Sequence, residues 1–197
     1  MHIDYWFSVA SPWTWLGSAR FAQLVAQSGA HVDVLPIELG AVFAASGGRP
    51  YADRPEARRT YRQLELARWS RRLGVPITLE PRHYPVDRTP ASHLLIAARQ
   101  QGLDALGLSH AVLRAIWHED RDIADWATLR HIADAVGLDG AALVDIAREP
   151  ALAEVFRADT QRAVAAGVFG APTFVVDGER FWGQDRLDFL GERLISV

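Results

Sequence analysis

Ile3-Asp4-Tyr5-Trp6-Phe7-Ser8-Val9-Ala10-Ser11-Pro12-Trp13-Thr14-Trp15-Leu16 is the stretch on which the reading of the fold turns. Ile3 to Val9 is short, aromatic and β-branched, which predicts a buried strand. Ser11-Pro12 follows at once, and serine is a favoured N-cap while proline suits the first helical position. From Trp13 to Gln27, Leu16, Ala19, Phe21, Leu24 and Val25 recur at helical spacing. Gly29 closes that helix, and His31 to Ile37 alternates as a second strand. Strand, helix, strand is the signature of a parallel βαβ unit.

The far end of the chain returns to strand chemistry. Thr173 to Val176 is β-rich, Asp177-Gly178 is a hairpin signal, and Glu179 to Trp182 returns. Gly183 leads into a last helix, Asp185 to Leu194. Between the two ends, Ser46 to Tyr51 is a loop by composition. A basic helix runs from about Pro55 to Leu73 and stops at Gly74-Val75-Pro76. After a proline-punctuated connection through Pro90 come helices near Ala91–Gln101, Ala105–His118, Ala127–Val136, Ala141–Ala147 and from Ala151 to Ala166. The order βαβ, helical insert, ββα predicts an α/β fold: a thioredoxin-like core with a large all-helical insertion. The expected division is 1–50 and 165–197 for the thioredoxin-like domain, and 51–164 for the insertion.

Composition narrows the function. The chain has 197 residues, 21 basic and 24 acidic side chains, seven His and no Cys. Apolar residues make up 49%, enough for one substantial core. The absence of Cys excludes a disulfide framework, a thiolate metal site and redox chemistry by the protein's own thiols. A formal charge of −3 with scattered basic residues argues against a nucleic-acid partner. No apolar run approaches the ~18 residues of a membrane span. Met1-His2-Ile3-Asp4 has no basic n-region, so no signal peptide is expected and the expected compartment is the cytoplasm.

Three places can carry chemistry. Ser11 lies between a strand and a helix, where the helix N-terminus favours an anion and a hydroxyl can donate to it. The bland reading is an ordinary N-cap. In Phe169-Gly170-Ala171-Pro172-Thr173 a proline precedes a strand; a cis bond there leaves the Ala171 backbone open to an extended ligand, a trans bond does not. In Trp182-Gly183-Gln184-Asp185-Arg186, Asp185 either holds a charged ligand end or simply caps the last helix. No metal site is expected: His110, His118 and His131 lack ligand spacing, and His118-Glu119-Asp120 reads as a solvated helix end. Gly47-Gly48 is no phosphate loop, and Ser11 lacks the elbow frame of an acyl-transfer nucleophile. Arg58, Arg59, Arg62, Arg68, Arg71 and Arg72 cover several helix faces and read mostly as solvated surface.

Ser11-Pro12-Trp13-Thr14-Trp15-Leu16, Arg68-Trp69, Gly167 to Phe174 and Phe181 to Leu187 together resemble the 2-hydroxychromene-2-carboxylate isomerases, relatives of kappa-class glutathione transferases and DsbA-like proteins. The resemblance runs over almost the whole chain, including Trp117 to Ile123. It implies that Ser11 stands where a thioredoxin has its first Cys and hydrogen-bonds the sulfur of glutathione. It implies that Ala171, before cis-Pro172, pairs with the cysteinyl backbone, that Trp182, Gly183, Gln184 and Asp185 surround the γ-glutamyl end, and that Gly48 lies nearby. Departures from the family pattern are Ala44 for a common Lys, Gly48 for Asn, Trp15 for Tyr, Glu65 for Asp and Asp159 for Asn.

The implied activity is glutathione-dependent interconversion of 2-hydroxychromene-2-carboxylate and trans-o-hydroxybenzylidenepyruvate, in breakdown of aromatic hydrocarbons. The implied substrate is a small aromatic carboxylate. Alternatives are a kappa-like glutathione transferase or peroxidase, and a non-catalytic thioredoxin-like binding protein. A homodimer is also expected, from related enzymes and from apolar surface assigned to Trp69, Trp117 and Trp126.

Overall fold

The structure, a computed structural model, describes residues 1–195. β1 (His2–Phe7) and β2 (His31–Pro36) pair in parallel, in register from His2 opposite His31 to Phe7 opposite Pro36. β3 (Thr173–Val176) joins the other side of β1 antiparallel and turns back into β4 (Glu179–Trp182), giving the order β2-β1-β3-β4. The crossover is α1 (Pro12–Ser28), capped by Ser11 and closed by Gly29 in the left-handed region, φ 65°. This is the predicted thioredoxin-like core.

The helices follow in the predicted order. They are α3 (Glu56–Leu73), α4 (Thr89–Gln100), α5 (Ala105–Trp117), α6 (Trp126–Ala135), α7 (Gly140–Ala147), α8 (Ala151–Ala165) and α9 (Leu187–Ile195). α5, α6 and α7 begin after Asp104, Asp125 and Asp139, whose carboxylates accept backbone N–H groups. One helix is additional: α2 (Leu39–Ser46) follows β2 directly, where the sequence analysis assigns no element. The Glu38 carboxylate accepts the Gly40 N–H at 2.7 Å, and the Glu38 N–H donates to Thr160 Oγ1 of α8 at 3.0 Å. No helix among the described residues is long and apolar enough to cross a membrane.

The two-residue period of the strands divides the core into two layers. Ile3, Tyr5 and Phe7 face α1 with Phe174 and Val176, and Tyr5 stacks on Phe7 and Phe174 at 4.4 and 5.2 Å. Trp6, Leu35 and Val175 face the other way, against Val42 of α2 and Ala163 of α8. The first layer does not end at the sheet. It continues without a break through Leu94 and Leu95 of α4, Leu113 and Trp117 of α5, and Leu129 of α6. Trp117 is 1% exposed, so it belongs to this core and supplies none of the free apolar surface the sequence analysis assigns to it.

Candidate active site

β1 and β2 run in parallel, so their C-terminal ends lie along one edge of the sheet, and α1 starts from that edge. Ser11 sits there, 6% exposed. Its N–H donates to the Ser8 carbonyl at 3.0 Å, and its Oγ accepts the Thr14 N–H at 3.2 Å. That cap uses a lone pair and leaves the hydroxyl proton for another acceptor. The N-terminal end of the helix dipole adds a positive field at the same point.

The Ala171–Pro172 bond is cis, as one of the two sequence readings has it. The Thr173 hydroxyl donates to the Gly170 carbonyl at 2.8 Å, and the Gly183 N–H donates to the Pro172 carbonyl at 2.9 Å, so the turn is braced from both sides. Ala171 itself makes no turn or loop hydrogen bond among the described residues. A Cβ at Gly170 would collide with the Trp182 indole, which lies over it. Ser11, Gly170, Ala171 and Trp182 all line one cleft of about 640 Å³.

The other expected residues stand around this cleft rather than on its wall. Pro172 is buried beneath Ala171. Gly183, at φ 103°, turns the chain from β4 into a 3-10 turn, Gln184–Arg186. Gln184 is 2% exposed and packs against Gly17 of α1; its Oε1 has no hydrogen-bond partner among the described residues. The Asp185 carboxylate accepts from Arg186 at 2.9 Å. Gly48 lies against the ring of Phe43, and it is Phe43 that reaches the cleft.

The facing wall is where sequence reasoning falls short. α2 contributes Leu39 and Phe43, the chain after α3 contributes Tyr84 with a second cis bond to Pro85, and α5 contributes Trp117. Four guanidinium groups, Arg54, Arg59, Arg62 and Arg88, line the cleft with one carboxylate, Glu80. Arg59 and Arg62 belong to the set assigned mostly to solvent. Their spacing with Gln63 and Leu66, at three, four and seven residues from Arg59, was the available signal, because it puts all four on one helix face. The Arg62 guanidinium lies 4.5 Å from the centre of the Tyr51 ring. Burial lowers its pKa, and the neighbouring Tyr84 and Tyr51 work against that. It remains a cation at any ordinary pH. At the opposite, N-terminal ends of β1 and β2, His2 Nε2 approaches Asp4 at 3.2 Å and Asp33 at 3.5 Å, an exposed ionic cluster away from the cleft.

A thioredoxin-like sheet with a cis-proline loop opposite the start of α1 defines a class, and the chain belongs to the DsbA-like thioredoxin domain family, whose family model matches residues 2–195. Within it, the chain is 31% identical over 196 residues to a 2-hydroxychromene-2-carboxylate isomerase of Sphingobium xenophagum, covering 98% of each chain, and it belongs to that isomerase family. It is 26% identical to glutathione S-transferase kappa 1 of Caenorhabditis elegans, over 98% of this chain and 90% of that one. A solved structure of a 2-hydroxychromene-2-carboxylate isomerase superposes with a TM-score of 0.83 at 26% identity, covering 98% of this chain and 94% of that one.

Proposed function

We propose that this chain is a cytoplasmic, glutathione-dependent isomerase that interconverts 2-hydroxychromene-2-carboxylate and trans-o-hydroxybenzylidenepyruvate in the breakdown of aromatic compounds. The observation that carries this reading is the pairing of Ser11 and Ala171 on one wall of a cleft whose other wall is aromatic and cationic, in a chain without cysteine. The residues fit glutathione: the Ser11 hydroxyl proton is free to donate, and the Ala171 backbone is open beside it. A cleft of about 640 Å³ falls within the range of small-molecule sites, about 300–1,000 Å³. Trp182 on the rim, with Gly183, Gln184 and Asp185 behind it, is the proposed seat of the γ-glutamyl end, with Gly48 behind Phe43 on the other side.

Bound glutathione would supply a thiolate that adds reversibly to a conjugated carbon, leaves a rotatable single bond and departs unchanged. The chain's own groups hold the charge through that cycle. A free thiol has a pKa of about 8.5, so at neutral pH the anion needs stabilising. Ser11 would donate to it, and the N-terminus of α1 would lower its potential energy further. The cleft arginines answer the carboxylate of the substrate, while Trp13 and Phe43 offer apolar surface to its ring.

The test is turnover of 2-hydroxychromene-2-carboxylate by the purified protein. Isomerisation that rises in proportion to added glutathione supports the reading; its absence at millimolar glutathione overturns it. The second reading, a kappa-like glutathione transferase, is favoured by the likeness to the nematode enzyme. It would show as a stable glutathione adduct in place of the isomer. A homodimer is part of the proposal: α3 exposes Tyr61 and Leu64, 58% and 55% accessible, on its outer side. Light scattering at micromolar concentration reads one chain or two.

A further inference from the structure

We propose that Arg59, Arg62 and Gln63 on the inner face of α3 form a subsite for a 2-hydroxyaryl carboxylate, the arginines taking the carboxylate and Gln63 the hydroxyl. This deepens the isomerase reading by naming what selects the electrophile.

The six arginines of α3 are not equivalent. Arg68 pairs with Glu65, and Arg72 lies over the ring of Trp69. Arg59, exposed at the edge of the cleft, and Arg62, half-buried, both line it because Leu66, seven residues after Arg59 and fully buried, fixes that face of the helix against the core. Among the described residues neither has a carboxylate partner. The other two cleft arginines are already engaged: Arg54 Nε donates to the Arg49 carbonyl at 2.9 Å, and Arg88 stands 3.8 Å from Glu38.

Arg62 is also half-buried, so part of its hydration has been removed with no anion in return. Its neighbours at this point are the ring and side-chain oxygen of Tyr51, a neutral group that leaves the positive charge without a counter-ion and available to a planar oxyanion. Beside it, Gln63 Oε1 is fully buried with no donor among the described residues. An orphaned acceptor next to a cation without a counter-ion calls for a ligand with both an anion and a hydroxyl. Four cations against the one carboxylate of Glu80 concentrate anions in the same cleft.

The probes are trans-2-hydroxycinnamate, its primary amide and unsubstituted trans-cinnamate, titrated calorimetrically without glutathione. Wild type is expected to bind the hydroxy acid at least tenfold more tightly than the amide. Arg62→Gln and Arg59→Gln should shrink that preference, with Arg62→Lys restoring part of it. Gln63→Leu should weaken 2-hydroxycinnamate but leave cinnamate unchanged. Thermal melts show whether each variant remains folded. Equal binding of acid and amide by wild type, no binding of either, or a preference that survives both arginine substitutions overturns the subsite. Equal loss of both acids in Gln63→Leu overturns the hydroxyl assignment. The titrations involve no turnover, so failure of the isomerase reading leaves them interpretable, and glutathione-dependent turnover with equal binding sinks the subsite alone.

Discussion

Asp159 of α8, 3% exposed, accepts the Nη2 of Arg99 of α4 at 2.6 Å. Arg99 at the same time donates to the Val34 carbonyl of β2 at 3.0 Å, and Arg162 reaches the other oxygen of Asp159 at 3.1 Å. Two helices and the edge strand therefore meet at one ionic joint. Removing one partner of a buried pair leaves a charge without compensation, at about 3–5 kcal/mol. Asp159→Ala is expected to lower the unfolding free energy by about 3 kcal/mol in urea titrations. Asp159→Asn, which keeps the shape and an acceptor, should lose less. A midpoint unmoved by Asp159→Ala would show that the joint holds nothing.

Ser11 has two roles that one substitution separates. Loss of its cap to the Thr14 N–H costs about 1 kcal/mol of stability. Loss of a charge-assisted hydrogen bond to a thiolate costs about 1.5–3 kcal/mol, roughly ten- to a hundredfold in rate. Ser11→Ala should thus slow glutathione-dependent turnover by more than its melt shift explains. A variant with a lower melting point and full turnover would reduce Ser11 to a cap.

Gly17 allows α1 to touch the turn behind Trp182. A Cβ there would lie 2.7 Å from the Cβ of Gln184. Alanine raises helix propensity by about 1 kcal/mol, whereas overpacking costs about 1–3 kcal/mol. The gap is too small for the side chains to relax into, so Gly17→Ala should destabilise by about 1 kcal/mol net. It should also disturb tryptophan fluorescence through Trp182. A rise in melting temperature would contradict the close approach.

Two histidines set the acid limb of stability. Burial lowers the pKa of His110, helped by the charge of Arg114, and its Nδ1 lies 2.8 Å from Ser18 Oγ. Burial also lowers that of His93, against opposing effects of the Ala147 backbone and Asp87. In the unfolded chain a histidine titrates near ~6.5, so below that pH the unfolded state binds more protons than the folded one. Stability is fully present above about pH 6.5 and falls as the pH drops toward the lower folded values. Asp120, held down by hydrogen bonds from Arg82, and Asp125, held down by the Thr128 N–H, act only nearer the carboxylate range. Urea midpoints at pH 7.5, 6.5 and 5.5 should therefore decline, and His110→Gln should flatten the decline. A level wild-type profile would rule the histidines out.

Most of this architecture is legible in the sequence because its boundaries are marked by residues with one dominant use. Ser11-Pro12 ends a strand and starts a helix, Asp177-Gly178 makes the hairpin, and Gly102 and Gly137 close helices at positive φ. α2 is hidden for the opposite reason. Leu39-Gly40-Ala41-Val42-Phe43-Ala44-Ala45-Ser46 is nearly all apolar, and a run of eight such residues has no period to read. The near wall of the cleft, Ser11 and Ala171, is local to motifs. The far wall is tertiary: the spacing of Arg59, Arg62, Gln63 and Leu66 puts them on one face of α3, but only the packing of Leu66 shows that this face lines the cleft while Arg68 pairs with Glu65.

The apolar layer that passes unbroken from β1 into α4, α5 and α6 has a consequence for how the molecule comes apart. Excising 51–164 would remove α4 and α5 from β2 and α5 from α1, and would expose the apolar layer they share. The thioredoxin-like part is therefore expected not to stand free once the insertion is removed. Helical roof and sheet floor should melt together, in a single cooperative transition read by urea titration, and the slowest-exchanging amides should be found in β1 and α4 alike. A ligand held anywhere in the cleft should then protect the whole chain from proteolysis, roof and floor alike.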